Sequence, residues 1–482
     1  MPRDAGWSLD RRTFLSASAA TVGVAYLGGC SGGGLKTADP EPEPVDGAQL
    51  TDFSPEQITL DEARYPLGVQ AGAMTSSSAL LWAHVDASDL GVLRVWRPSE
   101  VPGQVKLVKE LPVSATEGFA KVSVDGLGAG FYQYAFFDEA LTVRSPIGRF
   151  RTAFAQDDLR PLTIGSIACT NLERAPFGSL EVLAEMQPDL LCHLGDLSYN
   201  DAATTRQEYR DIYRQTFQDP GYRAILPSAG MYPTWDDHEV GNDFNPEQLA
   251  TEDPQLLQTA TDAYFEHVAV PEAAPRRLWR SYTWGATAEI FVLDCRGERR
   301  PSTRGTEAPI YISEAQFQWL LDGLQNSTAH FKVIMSSVPI TRLFGLWDLA
   351  VNDRWQGYGE QRQRLMAHLQ SKVQGRVLFL AGDFHCGYIG RVEPEGPGSE
   401  IWEVCTSTGA RAPNPVAVLY DTGNLTPEES FPPGQFIFGT GNTRNATTVT
   451  LDPLNDLVQV KFVDGRRDTR GTVLFDGQIP LL

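Results

Sequence analysis

The chain reads as a layered α/β protein preceded by a small all-β domain, and three observations carry that reading. From about residue 60 to 155, short runs such as ALLWAHV, GVLRVWRP, QVKLVKELPV, AKVSVDGL and FYQYAFFD alternate with turn residues, the spacing of a small β-sandwich. From about 160 onward, strand-like runs alternate with segments of helical periodicity. Several of those strand-like runs end at once in Asp, His, Tyr or Asn, as in LLCHLGDLSYND, MYPTWDDHEVGND and RVLFLAGDFHCG. Layered α/β proteins bind ligands at the C-terminal ends of strands, so these tips are candidate site residues. At 482 residues the chain exceeds one ordinary core, and two domains are expected.

Residues 1–30 read as a targeting segment outside the fold. Arg11 and Arg12 precede a small-residue, mildly apolar run, which is the pattern of a twin-arginine export signal. The run is too short to span a bilayer. It ends in Leu27-Gly28-Gly29-Cys30, which resembles a bacterial lipoprotein box, so a lipidated Cys30 is expected; the alternative is a plain cleavable signal. Residues 31–58, rich in Gly, Pro, Glu and Asp, read as a flexible linker. Residues 59–155 form the expected β-sandwich, in a supporting or substrate-walling role, and 156–482 the α/β domain.

Within that second domain LTIGSIAC reads as a strand, and PFGSLEVLAEM as a helix with Phe177, Leu180 and Leu183 on one face, stopped by Pro188. DLLCHLGD is the next strand, TRQEYRDIYRQTF a helix, MYPTW a strand, and a further helix is expected near 252–269. TAEIFVLDCR is a strand, and SEAQFQWLLDGLQNS a helix with Ser313 and Gln316 placed as a capping box. FKVIMSSVP, GEQRQRLMAHLQ and RVLFLAGD continue the alternation, and TTVTLDP, LVQVKFVDG and GTVLFDG return to strands.

The formal net charge of −21, from 40 basic and 61 acidic side chains, argues against nucleic acid as a main partner. With Cys30 lipidated, five cysteines remain, and an odd number leaves at least one unpaired. No CxxC pair is present, which disfavours structural zinc. Cys192 and Cys295 lie inside apolar runs and are expected in the core. Cys169 differs, because it closes a strand-like run.

Converging metal-ligand residues suggest a metal-dependent hydrolase, with phosphoester hydrolysis as the chemistry. A two-metal site needs one bridging carboxylate, and Asp196, after the turn-forming Gly195, is the candidate. Tyr199 could reach the same metal. His385 and His238 each follow an Asp at a strand end. His193 lies inside the apolar run and reads as a core or supporting residue, Asp236 as support for Asp237, and Asp294 and Arg296 as holders of a loop at the site rim.

These segments also carry a family resemblance. GDLSYND resembles the GDxxY segment of purple acid phosphatases and PhoD-type alkaline phosphatases, both calcineurin-like metallophosphatases. WDDHEVGND, GDFH, FVLDCR, SEAQFQWLLDGL and DRWQGYGEQRQRL resemble the PhoD type in order and character, and the resemblance spans nearly all of the chain after the leader. It implies a four-layer αββα sandwich preceded by an Fn3/Ig-like sandwich. It implies a site holding iron(III) and calcium, with Mn(2+), Mg(2+) or Zn(2+) as alternatives. Cys169, Asp196, Tyr199 and His385 would stand on the iron side. Asp237 and Asp383 would stand on the calcium side, with Asp196 bridging. His238 would contact phosphate or assist the leaving group, and Asn242 would ligate calcium or hold phosphate. Arg354-Trp355-Gln356-Gly357-Tyr358 would wall the substrate pocket.

The departures from the wider superfamily agree with that split. Where relatives place histidines, this chain has Ser336 and Ser337 and Asp383, and where they place an asparagine it has Asp237. Each change leaves oxygen donors, which suit calcium, magnesium or manganese better than zinc. Thiolate, phenolate and imidazole remain for the other metal, and a trivalent ion favours deprotonation of a phenol whose ordinary pKa is about 10. The expected reaction is in-line attack of a metal-bound hydroxide on phosphorus, with His238 assisting the leaving oxygen. The expected protein is an exported phosphomonoesterase or phosphodiesterase with Tat export machinery as its transport partner. Two alternatives stand: a phospholipase D-like diesterase acting on lipids or teichoic-acid-like polymers, and a non-catalytic surface lipoprotein with a decayed site.

Overall fold

A computed structural model describes residues 36–39, 46–86, 91–272, 276–343, 351–412, 414, 416, 419, 434–441 and 444–480. Arg11, Arg12 and Cys30 lie outside the described residues. No helix among the described residues is long and apolar enough to cross a membrane.

Two large sheets lie face to face in the second half of the chain. One runs in the order Val473–Ile479, Leu457–Asp464, Asn445–Asp452, Leu162–Thr170, Leu190–Leu194, Gly230–Thr234. The other runs Arg280–Trp284, Ala288–Val292, Phe331–Ser336, Arg376–Ala381, Trp402–Cys405, Gly387–Arg391, Phe436–Thr440. Leu162–Thr170, Leu190–Leu194 and Gly230–Thr234 are parallel neighbours, as are Ala288–Val292, Phe331–Ser336, Arg376–Ala381 and Trp402–Cys405. Such strands are buried on both faces, which is why they read as continuous apolar runs.

The space between the sheets is filled by Ile164, Cys192, Leu194, Ile290, Val292, Val333, Met335 and Leu380. Helices cover both outer faces. On the first sheet lie α1 (Gly178–Glu185), α2 (Arg206–Phe217), α3 (Pro220–Ile225), α4 (Pro246–Glu252) and α5 (Pro254–His267). On the second lie α6 (Glu314–Asn326) and α7 (Gly359–Lys372). The order helix, sheet, sheet, helix is the four-layer αββα sandwich.

The segment before residue 155 forms a sandwich of its own. Gln49–Thr51, Val105–Val113, Gly91–Pro98, Phe131–Asp138 and shorter strands make one sheet, and Val69–Gly72, Ser78–His84 and Phe119–Asp125 make the other. The second of these continues the first of the two large sheets through one parallel pair, Met231 with Gly72. Gly72 is required there, because a Cβ would stand 2.0 Å from the Ala269 carbonyl oxygen. Residues 38–482 make one compact unit, so the change from short strand-like runs to strand–helix alternation near 155–160 marks a change of topology within it.

Local details depart from the sequence reading in three places. The helix expected near 252–269 is α5, and a short helix not expected from the sequence, α4, precedes it; each has Pro in its first turn, with Asn245 capping α4 and Asp253 capping α5. Ser313 caps α6, but Gln316 does not complete the box; its side chain turns inward to the Asp294 backbone and to Glu298. The full capping box is at Thr205 and Glu208, opening α2. Cys192 and Cys295 are fully buried, as expected, and Cys169, Cys192, Cys295, Cys386 and Cys405 are all free thiols.

Candidate metal centre

The loops after five parallel strands converge on one end of the sandwich. Leu162–Thr170 ends in Cys169, Leu190–Leu194 leads into Asp196 and Tyr199, Gly230–Thr234 into Asp236, Asp237 and His238, and Arg376–Ala381 into Asp383 and His385. Ala288–Val292 leads into Asp294 and Arg296.

Three groups of donor atoms lie within 4.8 Å of one another: Cys169, Asp196 and His385; Asp196, Asp237 and His238; Asp236, Asp237 and Asp383. Asp196 belongs to two of them, the position a bridging carboxylate needs. Tyr199 Oη donates to Asp196 Oδ2 at 2.9 Å, and the His238 backbone N–H to Asp196 Oδ1 at 3.3 Å.

The backbone at these residues is strained. Cys169, Asp196, Asp383 and His385 have φ of 55°, 53°, 58° and 52°, a region non-glycine residues seldom occupy. Such outliers persist where the surroundings hold them, and they gather at functional sites. Gly195 allows the closest approach: a Cβ there would stand 2.5 Å from Asp236 Cβ.

Glu239 ties the loops together. Its buried carboxylate accepts the backbone N–H groups of Leu197 at 2.6 Å, Asp236 at 2.9 Å and Asp196 at 3.2 Å. Arg296 is fully buried under the acidic set, not at its rim. Its Nε donates to Asp236 Oδ1 at 2.6 Å and its Nη1 to Asp353 Oδ2 at 2.6 Å, and Nη2 lies 3.3 Å from Asp383 and 3.4 Å from Asp237. Asp236 also accepts from Ser337 Oγ at 2.8 Å, so one serine that stands in place of a histidine supports the cluster from behind.

The electrostatics follow from crowding carboxylates in a buried space. Burial and the neighbouring Asp237 push the Asp196 carboxyl up to about 7. Burial raises Asp383 well above the carboxylate range, with Asp236 adding to it. Burial also pushes Asp237 upward, but Arg296 and His238 outweigh it and hold that carboxyl down to about 2. Burial, with Asp196 next, raises the Cys169 thiol and the Tyr199 phenol far above their ordinary values. Arg296, with Arg299 at Asp353, cannot neutralise Asp196, Asp236, Asp237, Asp353 and Asp383 together. Asp237 Oδ1, buried, accepts no hydrogen bond among the described residues. A donor set of this charge, with an orphaned oxygen, fits bound cations.

His238 is held by Asp201, whose oxygens lie 2.7 and 2.8 Å from Nδ1. Burial lowers the imidazole's pKa, but Asp201, Asp196 and Asp237 overcome it and raise it to about 9. Asn242 is exposed; its backbone N–H donates to Asp201 at 2.7 Å and its amide to Asp243 at 3.0 Å, and it lines a cleft with His238. Burial lowers His385 to about 4, which leaves a neutral imidazole. His193 lies deeper and meets Tyr222 Oη at 3.0 Å.

Of the Arg354–Tyr358 stretch only Arg354 lines the cleft; Trp355 and Tyr358 are buried in the core around α6 and α7. The described residues lining the two clefts at the cluster all follow residue 200, so the N-terminal sandwich supports the site from outside and does not wall these clefts. Glu239, Asp201, Asp353 and Arg411 were not singled out from the sequence. Glu239 stood in the quoted WDDHE and Asp201 in GDLSYND; an acidic residue beside a ligand was the available signal.

A family model for PhoD-like phosphatases matches residues 164–428, more than half of the chain. The chain belongs to the PhoD-like phosphatase family. Alkaline phosphatase D of Bacillus subtilis (strain 168) is 27% identical over 382 residues, covering 67% of this chain and 65% of that protein. The chain thus spans less than two thirds of the length of this curated relative. A solved structure of PhoD superposes with a TM-score of 0.70 at 22% identity, covering 86% of this chain and 89% of the other. A purple acid phosphatase from yellow lupin (Lupinus luteus) seeds superposes at 0.58 and 12% identity, covering 86% and 73%. Both likenesses concern the fold: this PhoD-like chain shares its layered sandwich with both.

Proposed function

We propose that the chain is a phosphoester hydrolase that works with two metals, acting on phosphomonoesters and phosphodiesters. The observation that carries this is the convergence of Cys169, Asp196, Tyr199, Asp237, Asp383 and His385 at the ends of parallel strands, four of them in strained backbone.

The donor types suggest iron(III) beside Cys169, Tyr199 and His385, and calcium beside Asp237 and Asp383, with Asp196 between. When bound, the metals supply Lewis acidity and a nucleophilic water at neutral pH. The protein's own part is to place the phosphoryl group and move protons. Asp201 accepts Nδ1–H of His238, which leaves Nε2 for substrate. The Asp201 carboxylate favours the protonated imidazole, and His238 in that form can donate to the leaving oxygen. Asn242 lines the same cleft and could hold a phosphoryl oxygen.

Metal analysis beside turnover of p-nitrophenyl phosphate, bis-p-nitrophenyl phosphate and phosphatidylcholine tests the reading. Expected are stoichiometric iron and calcium, a visible tyrosinate-to-iron absorption band lost in Tyr199→Phe, and turnover of the first two esters. A colourless, iron-free and fully active preparation removes iron from the account. Turnover of phosphatidylcholine alone favours the lipid diesterase, and no turnover by the metal-loaded protein favours a decayed site.

The leader motif supports export through the twin-arginine pathway and anchoring by a lipidated Cys30. Cys30→Ala should move the protein from the membrane fraction to the soluble one, and an unchanged distribution would sink the anchor.

A further inference from the structure

Two clefts meet at the acidic cluster, and the residue their linings share is Arg411. The larger, about 720 Å³, also carries Asp383, His385 and Asn414. The smaller, about 540 Å³, carries His238 and Asn242. Arg411 follows the short strand Thr408–Ala410, and its backbone N–H donates to Thr408 Oγ1 at 2.9 Å. The next turn is tied to a ligand loop, because the Asn414 backbone N–H donates to the His385 carbonyl at 3.3 Å.

The guanidinium carbon of Arg411 lies 4.8 Å from the centroid of the Tyr199 ring. Tyr199 in turn donates to Asp196, so the charge is seated directly over the donor set. The two arginines that meet the acidic set are engaged by carboxylates, Arg296 by Asp236, Asp353 and Asp383, and Arg299 by Asp353, while Arg304, farther out in the larger cleft, bonds backbone carbonyls. Among the described residues Arg411 pairs with no carboxylate. Stacking on an aromatic face orients a guanidinium while leaving its planar fork of N–H donors open. That fork matches a phosphoryl group, which offers two oxygens at the same spacing.

We propose that Arg411 is a substrate-binding residue whose guanidinium grips non-bridging phosphoryl oxygens and holds phosphorus at the junction of the two clefts. The inference rests on the phosphoester hydrolase reading. It gives the site a cation of its own that no metal ligand neutralises. It also places the phosphoryl group between His238 in one cleft and His385 in the other.

The test uses the full-length, metal-loaded protein and two readouts: the inhibition constant for inorganic phosphate, and KM and kcat on p-nitrophenyl phosphate. Arg411→Ala should raise the phosphate constant and KM by on the order of 10- to 100-fold, the worth of a charge-assisted contact. Arg411→Lys should fall between, because it keeps the charge and loses the fork. Metal content and the thermal midpoint should match wild type in both. Arg304→Ala removes the same charge from an exposed position in the larger cleft, where Arg304 bonds only the carbonyls of Pro301 and Asn352, and should change both constants by less than about threefold. An unchanged phosphate constant in Arg411→Ala overturns the proposal. So does an equal rise in Arg304→Ala, which would report a general field, or a parallel loss of metal, which would report a structural role. A wild-type protein that neither binds phosphate nor turns over an ester overturns the hydrolase reading itself, and this inference with it.

Discussion

Asp196 shows how one side chain can serve the site at the expense of the fold. It is buried beside Asp237, and its pKa rises to about 7, with burial as the larger cause. A carboxyl whose folded pKa is raised holds its proton more firmly in the native state than in the unfolded one. In the metal-free protein its contribution to stability therefore falls as pH rises from about 4 through 7, and the deficit persists above that. Asp196→Asn removes that charge. The variant should lose turnover by about a thousandfold or more, as expected for a bridging ligand. Its metal-free thermal midpoint at pH 8 should equal or exceed that of the metal-free wild type. Activity within about tenfold of wild type would sink the bridging role, and a midpoint well below wild type would sink the electrostatic account.

At the scale of elements, what matters is the seam between strand-end loops. Glu239 bonds backbone N–H groups of both the Gly195–Tyr199 loop and the Asp236–His238 loop, so it sets the distance between candidate ligands that belong to different strands. Burial, then Asp196, raises its pKa well above the carboxylate range, and the N–H bonds from Asp236 and Leu197 oppose that shift. Glu239→Ala leaves three donors unsatisfied in a buried space, at about 1 kcal/mol or more each. Denaturant unfolding should show a loss of at least about 3 kcal/mol, and metal should dissociate faster. A loss under about 1 kcal/mol would mean that the loops hold each other without it. Glu239 is a constituent of the quoted WDDHE, yet nothing in that string reveals its partners. The hydrogen bonds that define its role close across the strands Leu190–Leu194 and Gly230–Thr234. Arg296 was legible as a loop holder and misjudged in place, because its depth depends on Asp236, Asp353 and Asp383 folding around it.

For the whole molecule, acid stability depends on buried histidines outside the candidate donor set. Burial holds His193 and His267 down to about 3, and His84 to about 4. His267 stacks on Tyr213 at 4.4 Å between ring centroids, and its Nδ1 meets the Ala263 carbonyl at 2.7 Å. In the unfolded chain each imidazole takes a proton below about pH 6.5. Native stability is therefore full above pH 6.5 and is lost as pH falls toward the folded values, by on the order of 2 kcal/mol per fully buried imidazole near pH 4.5. The thermal midpoint should fall between pH 6.5 and 4.5, and fall less steeply in His267→Gln. An identical slope in the two proteins would exclude His267 from the effect.

The sequence by itself determined the layered α/β rhythm, the candidate ligands at strand ends and the family resemblance, because periodicity and side-chain donor type are local properties of neighbouring residues. Cys169, Asp196, Tyr199, Asp237, Asp383 and His385 could each be named from a short string. Only the tertiary structure decided that Arg296 lies beneath the acidic set, that Asp201 holds His238, that Glu239 joins two loops and that Arg411 stands over Tyr199. Each of these pairings joins residues on different elements. Their energies depend on burial and on distances of a few ångströms, which exist only once the two sheets have closed on each other.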